Sequence, residues 1–573
     1  MTSSKLFKRT HQEAERLLSA PGSMLEMENR VYGGSVVEMT MTYLLLKLIA
    51  GQVQRVYKNL WPTARDFFIS VSEQHADKIS VVYEHERLTF REVKKQAIQT
   101  AGVLFDRYGD RIALCLRNCP EYVVFFWAAH LVGAVPVLVN SWLPKDPLLH
   151  SLLLTQPKVI FFDHERAERM QASISKLTGS GVLGLIVVRH QGEDWPGMVK
   201  WSTLVETASP REAIPDPGIE PEDNAVVIFT SGSTGLPKGV LMTQRQFITG
   251  LGNGVADAVR AALLQGLDLS TAFEPQPGPQ PGVLLPTPMF HVTGTSILLL
   301  AAMAGIKVVL MSKWNADEAF KIIKRENITS AGGVPSIVFD LMVKSKELKN
   351  LDTLWLGGGP TSESMFEQIR KAFPRASMSQ SYGQTECNAG ATSFSGEDYY
   401  NHPGSVGLSL TCRLVDTEAT AKTLTRDGWL KTGDIGYVDE EGYVYVKDRI
   451  KDMIIRGGEN IDSVMVQNAF YYDPRIYEAA AVGVPDARLG EVVAVLVTLK
   501  PEYRGQVPEE AMEAELMTLA KKHLPHFAVP VMIKVHDAEF EHTPSNKILK
   551  APLRQIAAKE WERRRIINIA SKM

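Results

Sequence analysis

Short β-rich apolar runs recur along most of the chain, and longer amphipathic segments separate them. The runs include Ile79–Tyr83, Ile112–Leu116, Val159–Phe162, Gly184–Val188, Ala225–Phe229, Val308–Met311 and Thr353–Leu356. From about Trp61 to Arg449 this alternation predicts α/β layers on largely parallel sheets. Glu274–Gly282 is Pro/Gly-rich and predicts a surface loop. Ile435–Lys447 alternates on either side of Asp439–Gly442 and predicts a hairpin. At 573 residues the chain exceeds one compact core.

After Arg449 the pattern changes. Ser463–Tyr471 and Pro508–His523 read as helices, and Tyr477–Val484, Glu491–Leu499 and Val529–Val535 as strands. A basic-faced helix follows at Leu553–Arg565, which completes a small α+β domain. The 62 Lys and Arg nearly balance 65 Asp and Glu. That balance removes any bulk electrostatic case for a nucleic-acid partner. Cys115, Cys119, Cys387 and Cys412 are too scattered for a zinc site or a disulfide framework, so a reduced compartment is expected.

Residues Met1 to Leu17 lack the apolar core of a secretory signal. Met39–Ala50 is the greasiest early stretch, but a spanning helix needs roughly 20 residues. No transmembrane segment is expected. A surface-lying membrane helix is the weaker alternative, since the segment lacks a charged face. Ser571-Lys572-Met573 is a near match to a receptor-read peroxisomal address. The expected location is peroxisomal, through an import receptor, and otherwise cytoplasmic.

Thr230, Ser231, Gly232, Ser233, Thr234 and Gly235 open a loop that runs through Lys238 to Gly239. It follows the strand pattern Ala225–Phe229. Backbone N–H groups and hydroxyls at this density suit an anion, and Lys238 adds charge. A Walker A loop is excluded: it needs Gly-Lys-Ser/Thr entering a helix, whereas Pro237 and Gly239 flank Lys238.

This loop resembles the phosphate loop of the adenylate-forming superfamily, which includes acyl-CoA synthetases and 4-coumarate–CoA ligases. Further motifs follow in the family's order. Pro288 to Gly294 is similar to its aromatic-His segment, and Gly357-Gly358-Gly359-Pro360 to its pocket-wall turn. Ser381-Tyr382-Gly383-Gln384-Thr385-Glu386 resembles its Tyr-Gly-x-Thr-Glu motif, and Gly428 to Asp434 its Gly-Trp-x-x-Thr-Gly-Asp motif. Lys447 to Asp452, then Gly457 to Ile461, resemble the domain junction. Thr543 to Ile548 resembles the segment carrying a late catalytic lysine, with Asn546 where the family usually has Gly.

The resemblance implies a large N-terminal domain of layered α/β subdomains with a small β-barrel, here truncated, and a small α+β C-terminal domain. The boundaries it implies are an N-terminal extension at 1–53, the large domain at 54–448, a hinge at 449–451 and the small domain at 452–573. It implies an acid–thiol ligase that converts a carboxylic acid and ATP to an acyl-adenylate, then to a CoA thioester, with Mg²⁺. Lys547 would bridge carboxylate and α-phosphate. Thr385 would contact the α-phosphate, Glu386 would hold Mg²⁺, Asp434 would hold the ribose, and Arg449 would add a ribose or phosphate contact. Gly357–Gly359, Tyr382 and Gly383 would frame the nucleotide, and Lys451 would be the pivot. His291 is either a gate for the carboxylate or a hydrogen-bonded core residue.

Gly332-Gly333 and Gly357–Gly359 suggest a roomy pocket, hence a medium- or long-chain fatty acid. The alternatives are transfer to a carrier protein, a luciferase-like oxidation, or a degenerate nucleotide-binding non-enzyme. The last draws on a departure from the family. Between Gly404–Gly407 and Gly428 the chain is too short for a full barrel, and Gly34–Val53 reads as extra sequence. A retained intron and a skipped exon would account for both, and sequencing the transcript tests this.

Overall fold

A computed structural model describes residues 44–49, 52–57, 60–104, 108–190, 192, 195–207, 211–230, 236–269, 277–359, 361, 363–409, 430–536, 538–543 and 547–570. The loop residues Ser231, Gly232, Ser233, Thr234 and Gly235, the residues Pro360, Cys412 and Asn546, the stretch 410–429 and the terminal Ser571-Lys572-Met573 lie outside them.

Two large sheets carry the fold. The seven-stranded sheet runs Lys238–Thr243, Asn224–Thr230, Val135–Leu138, Arg111–Cys115, Val159–Asp163, Gly184–Val188 and Val199–Lys200. Only its first pair is antiparallel. The nine-stranded sheet has a parallel centre, from Ile79–Tyr83 through Lys307–Leu310, Gly282–Leu285, Ile328–Gly333 and Thr353–Gly357 to Ser377–Tyr382. Glu86–Thr89 and Thr392–Ser395 flank it antiparallel, and Leu408–Ser409 ends it.

Helices fill the space between the sheets. In Pro120–Leu131 every residue but Glu121 is buried, as expected of a helix apolar all round. With Ala64–Gln74, Gln244–Leu264 and Val292–Ala304 it contributes to one core that also takes Val81 and Val308 from one sheet and Ile112 and Leu114 from the other. Most expected strands appear within a residue or two. Among the strands that escape the apolar-run reading are Val135–Leu138, Lys238–Thr243, Gly282–Leu285, Ile328–Gly333, Ser377–Tyr382 and Thr392–Ser395.

Among the described residues, Leu44–Ile49 and Gln52–Tyr57 form an antiparallel hairpin, so Met39–Ala50 contributes a strand rather than a membrane-lying helix. No helix among the described residues is long and apolar enough to cross a membrane. Asp434–Val438 and Val444–Arg449 pair as the expected hairpin, whose Val444 carbonyl accepts from Val406 N (2.8 Å) and whose Val444 N–H donates to the Gly407 carbonyl (3.0 Å), with no closed barrel among the described residues. Tyr437 and Val438 on it are 48% and 63% exposed.

The C-terminal unit is a separate five-stranded sheet. The long pair Ile476–Asp486 and Gly490–Leu499 lies at its heart, with Met532–Val535 parallel beside it. Ser463–Phe470 and Glu509–His523 cover one face, and Lys550–Ala570 the other.

Candidate active site

The strand Asn224–Thr230 pairs antiparallel with Lys238–Thr243, with Thr230 opposite Lys238, so Lys238 opens a strand and not a helix. The exclusion of a Walker A loop therefore agrees with the observed backbone. Thr230 and Lys238 sit at the mouth of a cleft of about 2100 Å³. The large sheets and the C-terminal unit together line this cleft.

Lys547 reaches the centre of it. Its backbone is tied to Thr543: its N–H donates to Thr543 Oγ1 (3.0 Å) and its carbonyl accepts from Thr543 N (2.7 Å). Gly358 adopts φ +74°, and a Cβ there would lie 3.1 Å from Lys547 Cε and 3.6 Å from Nζ. The ammonium has no hydrogen bond or ion pair to any described residue. Burial first, then the Arg449 charge, pull its pKa below the usual lysine value, while Asp434 pushes it back. A cation that is largely enclosed and unpaired is poised for an anion.

Asp434 lies opposite Arg449 in the hairpin. Its Oδ1 is 3.2 Å from Arg449 Nε. Its Oδ2 accepts from the Tyr382 hydroxyl (2.6 Å) and from Gln384 Nε2 (3.0 Å). A carboxylate offers about four acceptor sites, so one more donor fits without rearrangement. Burial and this bond to Asp434 raise the Tyr382 pKa.

Tyr382 ends a strand, Gly383 makes the turn, and Thr385–Cys387 forms one 3₁₀ turn. A Cβ on Gly383 would overlap the Ala389 carbonyl, so only glycine fits. Thr385 is buried and Glu386 half-buried, and both line the cleft. Asn388 caps the turn at φ +54° and donates from Nδ2 to the Gln246 and Phe247 carbonyls (2.8 and 2.9 Å). Sequence reasoning missed Asn388; its signal was an asparagine at a left-handed cap.

His291 is a hydrogen-bonded capping residue at the cleft wall. Its Nδ1 accepts from Thr293 N (3.2 Å) and caps the helix Val292–Ala304, while its ring lines the cleft. Burial and Lys547 lower its pKa to about 4. It is therefore neutral near pH 7, with its remaining proton on Nε2.

At the junction Lys451 is exposed. Asp448 accepts from Ser463 N (2.6 Å), and Asp452 Oδ1 is 3.3 Å from Arg554 Nη2. A second seam was not foreseen. Tyr477 of the C-terminal sheet donates to Asp340 Oδ1 (3.3 Å), and Trp314 Nε1 donates to Oδ2 (2.8 Å). Phe339 stacks on Tyr471 with centroids 6.4 Å apart.

No group of three or more His, Cys, Asp or Glu forms a metal cage among the described residues. Mg²⁺ accepts one carboxylate plus substrate phosphates. Glu386 on the cleft wall fits that pattern for a metal arriving with the nucleotide.

Two α/β sheets closed by a small α+β unit, with a free ammonium between them, define an adenylating fold. The chain belongs to the AMP-binding enzyme family: that family matches residues 68–430, and the AMP-binding enzyme C-terminal domain matches 466–547. It is 27% identical to the long-chain-fatty-acid–CoA ligase FadD13 of Mycobacterium tuberculosis over 82% of this chain and 93% of that one. It is also 27% identical to a 2-succinylbenzoate–CoA ligase of Bacillus cereus, over 84% and 96%. Among solved structures, the anthranilate CoA ligase AuaEII with anthranoyl-AMP superposes with TM-score 0.74 at 20% identity, over 88% of this chain and 99% of that one. The o-succinylbenzoate synthetase of Bacillus subtilis with ATP and magnesium gives 0.65 at 24%, over 86% and 98%. The enzyme class is an ATP-dependent, AMP-forming acid–CoA ligase.

Proposed function

We propose that the cleft joins a carboxylic acid to MgATP and then to CoA, with Lys547 as the adenylating cation. A carboxylate oxygen attacks the α-phosphorus, the bond to pyrophosphate breaks, and the acyl-adenylate forms. The CoA sulfur then attacks the acyl carbon, loses its proton and expels AMP. The obstacle in the first step is repulsion between two anions. Lys547 offsets it by holding both at attack distance. The single observation that carries this reading is the unpaired ammonium against Gly358.

The remaining roles follow from position. Glu386 holds the metal that enters with the nucleotide, and Thr385 donates to the α-phosphate. Thr230, Lys238 and the loop between them take the outer phosphates. Asp434 accepts one ribose hydroxyl in its free site, and Arg449 neutralises it. Gly357–Gly359 and Tyr382 flank the base. His291 is the neutral ring beside the reacting carboxylate. Rotation about Lys451 then removes Lys547 and admits the thiol, breaking the Asp448–Ser463 bond.

A fatty acid was expected from paired glycines. Gly332 has another reason to be glycine: a Cβ there would overlap the Trp355 carbonyl and lie 2.7 Å from its indole Cδ2. The mycobacterial relative supports an aliphatic chain and the Bacillus relatives a substituted aromatic acid. The reading kept here is an acid with an extended acyl group. The Lys547→Ala variant should lose adenylation by about 10²–10³-fold while still binding ATP. Wild-type pyrophosphate exchange in that variant would defeat the proposal. AMP release that does not depend on CoA would favour a carrier-protein acceptor. Nucleotide binding without any adenylate would favour the non-enzyme reading.

A further inference from the structure

The acyl side of the cleft has one wall of uncommon chemistry. In the strands Ile328–Gly333, Thr353–Gly357, Ser377–Tyr382 and Thr392–Ser395, successive side chains alternate between two faces. One face packs into the core through Ala331, Leu354, Leu356, Met378 and Phe394. The other faces the cleft with Ser330, Thr353, Trp355, Ser379, Ser381 and Ser393. The register sets Ser330 beside Thr353, Trp355 beside Ser379, and Ser381 beside Ser393. This wall is rich in hydroxyls around one indole, and Val283 continues it beside Ser330.

Its polar atoms are mostly unspent. Ser393 donates to Asp257 Oδ2 (3.1 Å). The hydroxyls of Ser330, Thr353 and Ser379 have no partner among the described residues. The Trp355 indole N–H is buried and also unpartnered. Across the cleft, Ile297 and Leu300 present an apolar surface, with Asn253 and Asp257 on the neighbouring helix. An unsubstituted hydrocarbon laid here would strip water from the hydroxyls and return nothing, leaving each of them unsatisfied.

We infer that the acyl group this ligase activates carries a hydrogen-bonding oxygen function, a hydroxyl or oxo group, on its distal part. The inference rests on the ligase reading above. The indole N–H can only donate, so it calls for an acceptor, and the hydroxyls serve either role. Depth follows from strand geometry. Gly357 lies next to the Gly358 contact with Lys547, at the reacting end. Trp355 and Thr353 lie two and four residues further back, roughly 7 and 13 Å at about 3.3 Å per residue. An oxygen adjacent to the carboxyl would not reach them.

The test uses non-hydrolysable acyl-adenylate sulfamates on the full chain, read by calorimetry. Two probes share one straight acyl chain, and one of them bears a distal hydroxyl. The hydroxylated probe should bind at least about tenfold more tightly, since sites built to pair a hydroxyl reject the analogue lacking it. The Ser330→Ala/Ser379→Ala variant should shrink that ratio severalfold, and Trp355→Phe, which keeps the ring and removes the N–H, should shrink the ratio for an oxo-bearing probe. Equal affinities in the wild type, or ratios untouched by either variant, would overturn the inference alone. Binding of neither probe would overturn the ligase reading and the inference with it.

Discussion

The seam at Asp340 allows the two half-reactions to be separated by one atom. The Tyr477→Phe substitution removes only a hydroxyl, and the ring can stay where it packs. That hydroxyl donates across the seam to Asp340 Oδ1 at 3.3 Å, while Trp314 holds Oδ2 from the large domain at 2.8 Å. Burial pushes the Asp340 carboxyl up, and these two donors oppose the rise. Hydrogen bonds to charged groups contribute about 1.5–3 kcal/mol. The length of this one argues for the lower part, about 1–2 kcal/mol, a factor of about 5–30 in an equilibrium. The contact exists only while the C-terminal unit delivers Lys547. Adenylation should therefore slow by up to that factor, measured as pyrophosphate exchange. Thioester formation from supplied acyl-adenylate should hold or quicken. Trp314→Phe should act in the same direction without touching the C-terminal unit. Equal slowing of both half-reactions, or of neither, would refute the latch.

Gly358→Ala places a methyl 3.1 Å from Lys547 Cε at φ +74°, a conformation costing a side chain about 1–2 kcal/mol; pyrophosphate exchange should fall while thioester formation from supplied adenylate persists, and parallel losses would count against it. Because the Lys547 pKa is pulled down and the charged form does the work, kcat/KM for adenylation should drop on the alkaline side at a pH below 10.5. Arg449→Gln should move that limb upward, and an inflection at or above 10.5 in the wild type would contradict the assignment. His130 is fully buried, neither ring nitrogen has a partner, and burial lowers its pKa from 6.5 to about 3. The unfolded chain then binds the proton first as pH falls below 6.5, so wild-type stability declines from 6.5 towards 3. The His130→Leu variant should lack that part of the decline and gain about 1–3 kcal/mol, read from denaturant midpoints; parallel pH curves would disprove it.

The sequence carries some of this molecule plainly and hides other parts for physical reasons. A strand buried on both faces reads as a largely apolar run, so Ile79–Tyr83 and Gly184–Val188 are legible to the residue. Motif residues are legible because their chemistry is local: Gly383 has no room for a Cβ, and Asp434 has Tyr382 and Gln384 brought to it by the turn. Pairings across distant segments leave no such mark. Asp340 and Tyr477 are ordinary residues until the C-terminal sheet docks, and the hydroxyl of Tyr477 meets a carboxylate 137 positions away. The strand Ser377–Tyr382 was invisible for a third reason. Its sequence, SMSQSY, has serine at every second place, and such a pattern resembles a loop when burial is the only guide. The structure shows that one side of that strand packs Met378 into the core while the other faces the cleft. On the cleft side Ser379 is half-buried and Ser381 exposed, so polar residues at alternate places in a strand central to its sheet mark the wall of a wet cleft rather than an irregularity of the fold, and an apolar-run reading passes over such a wall.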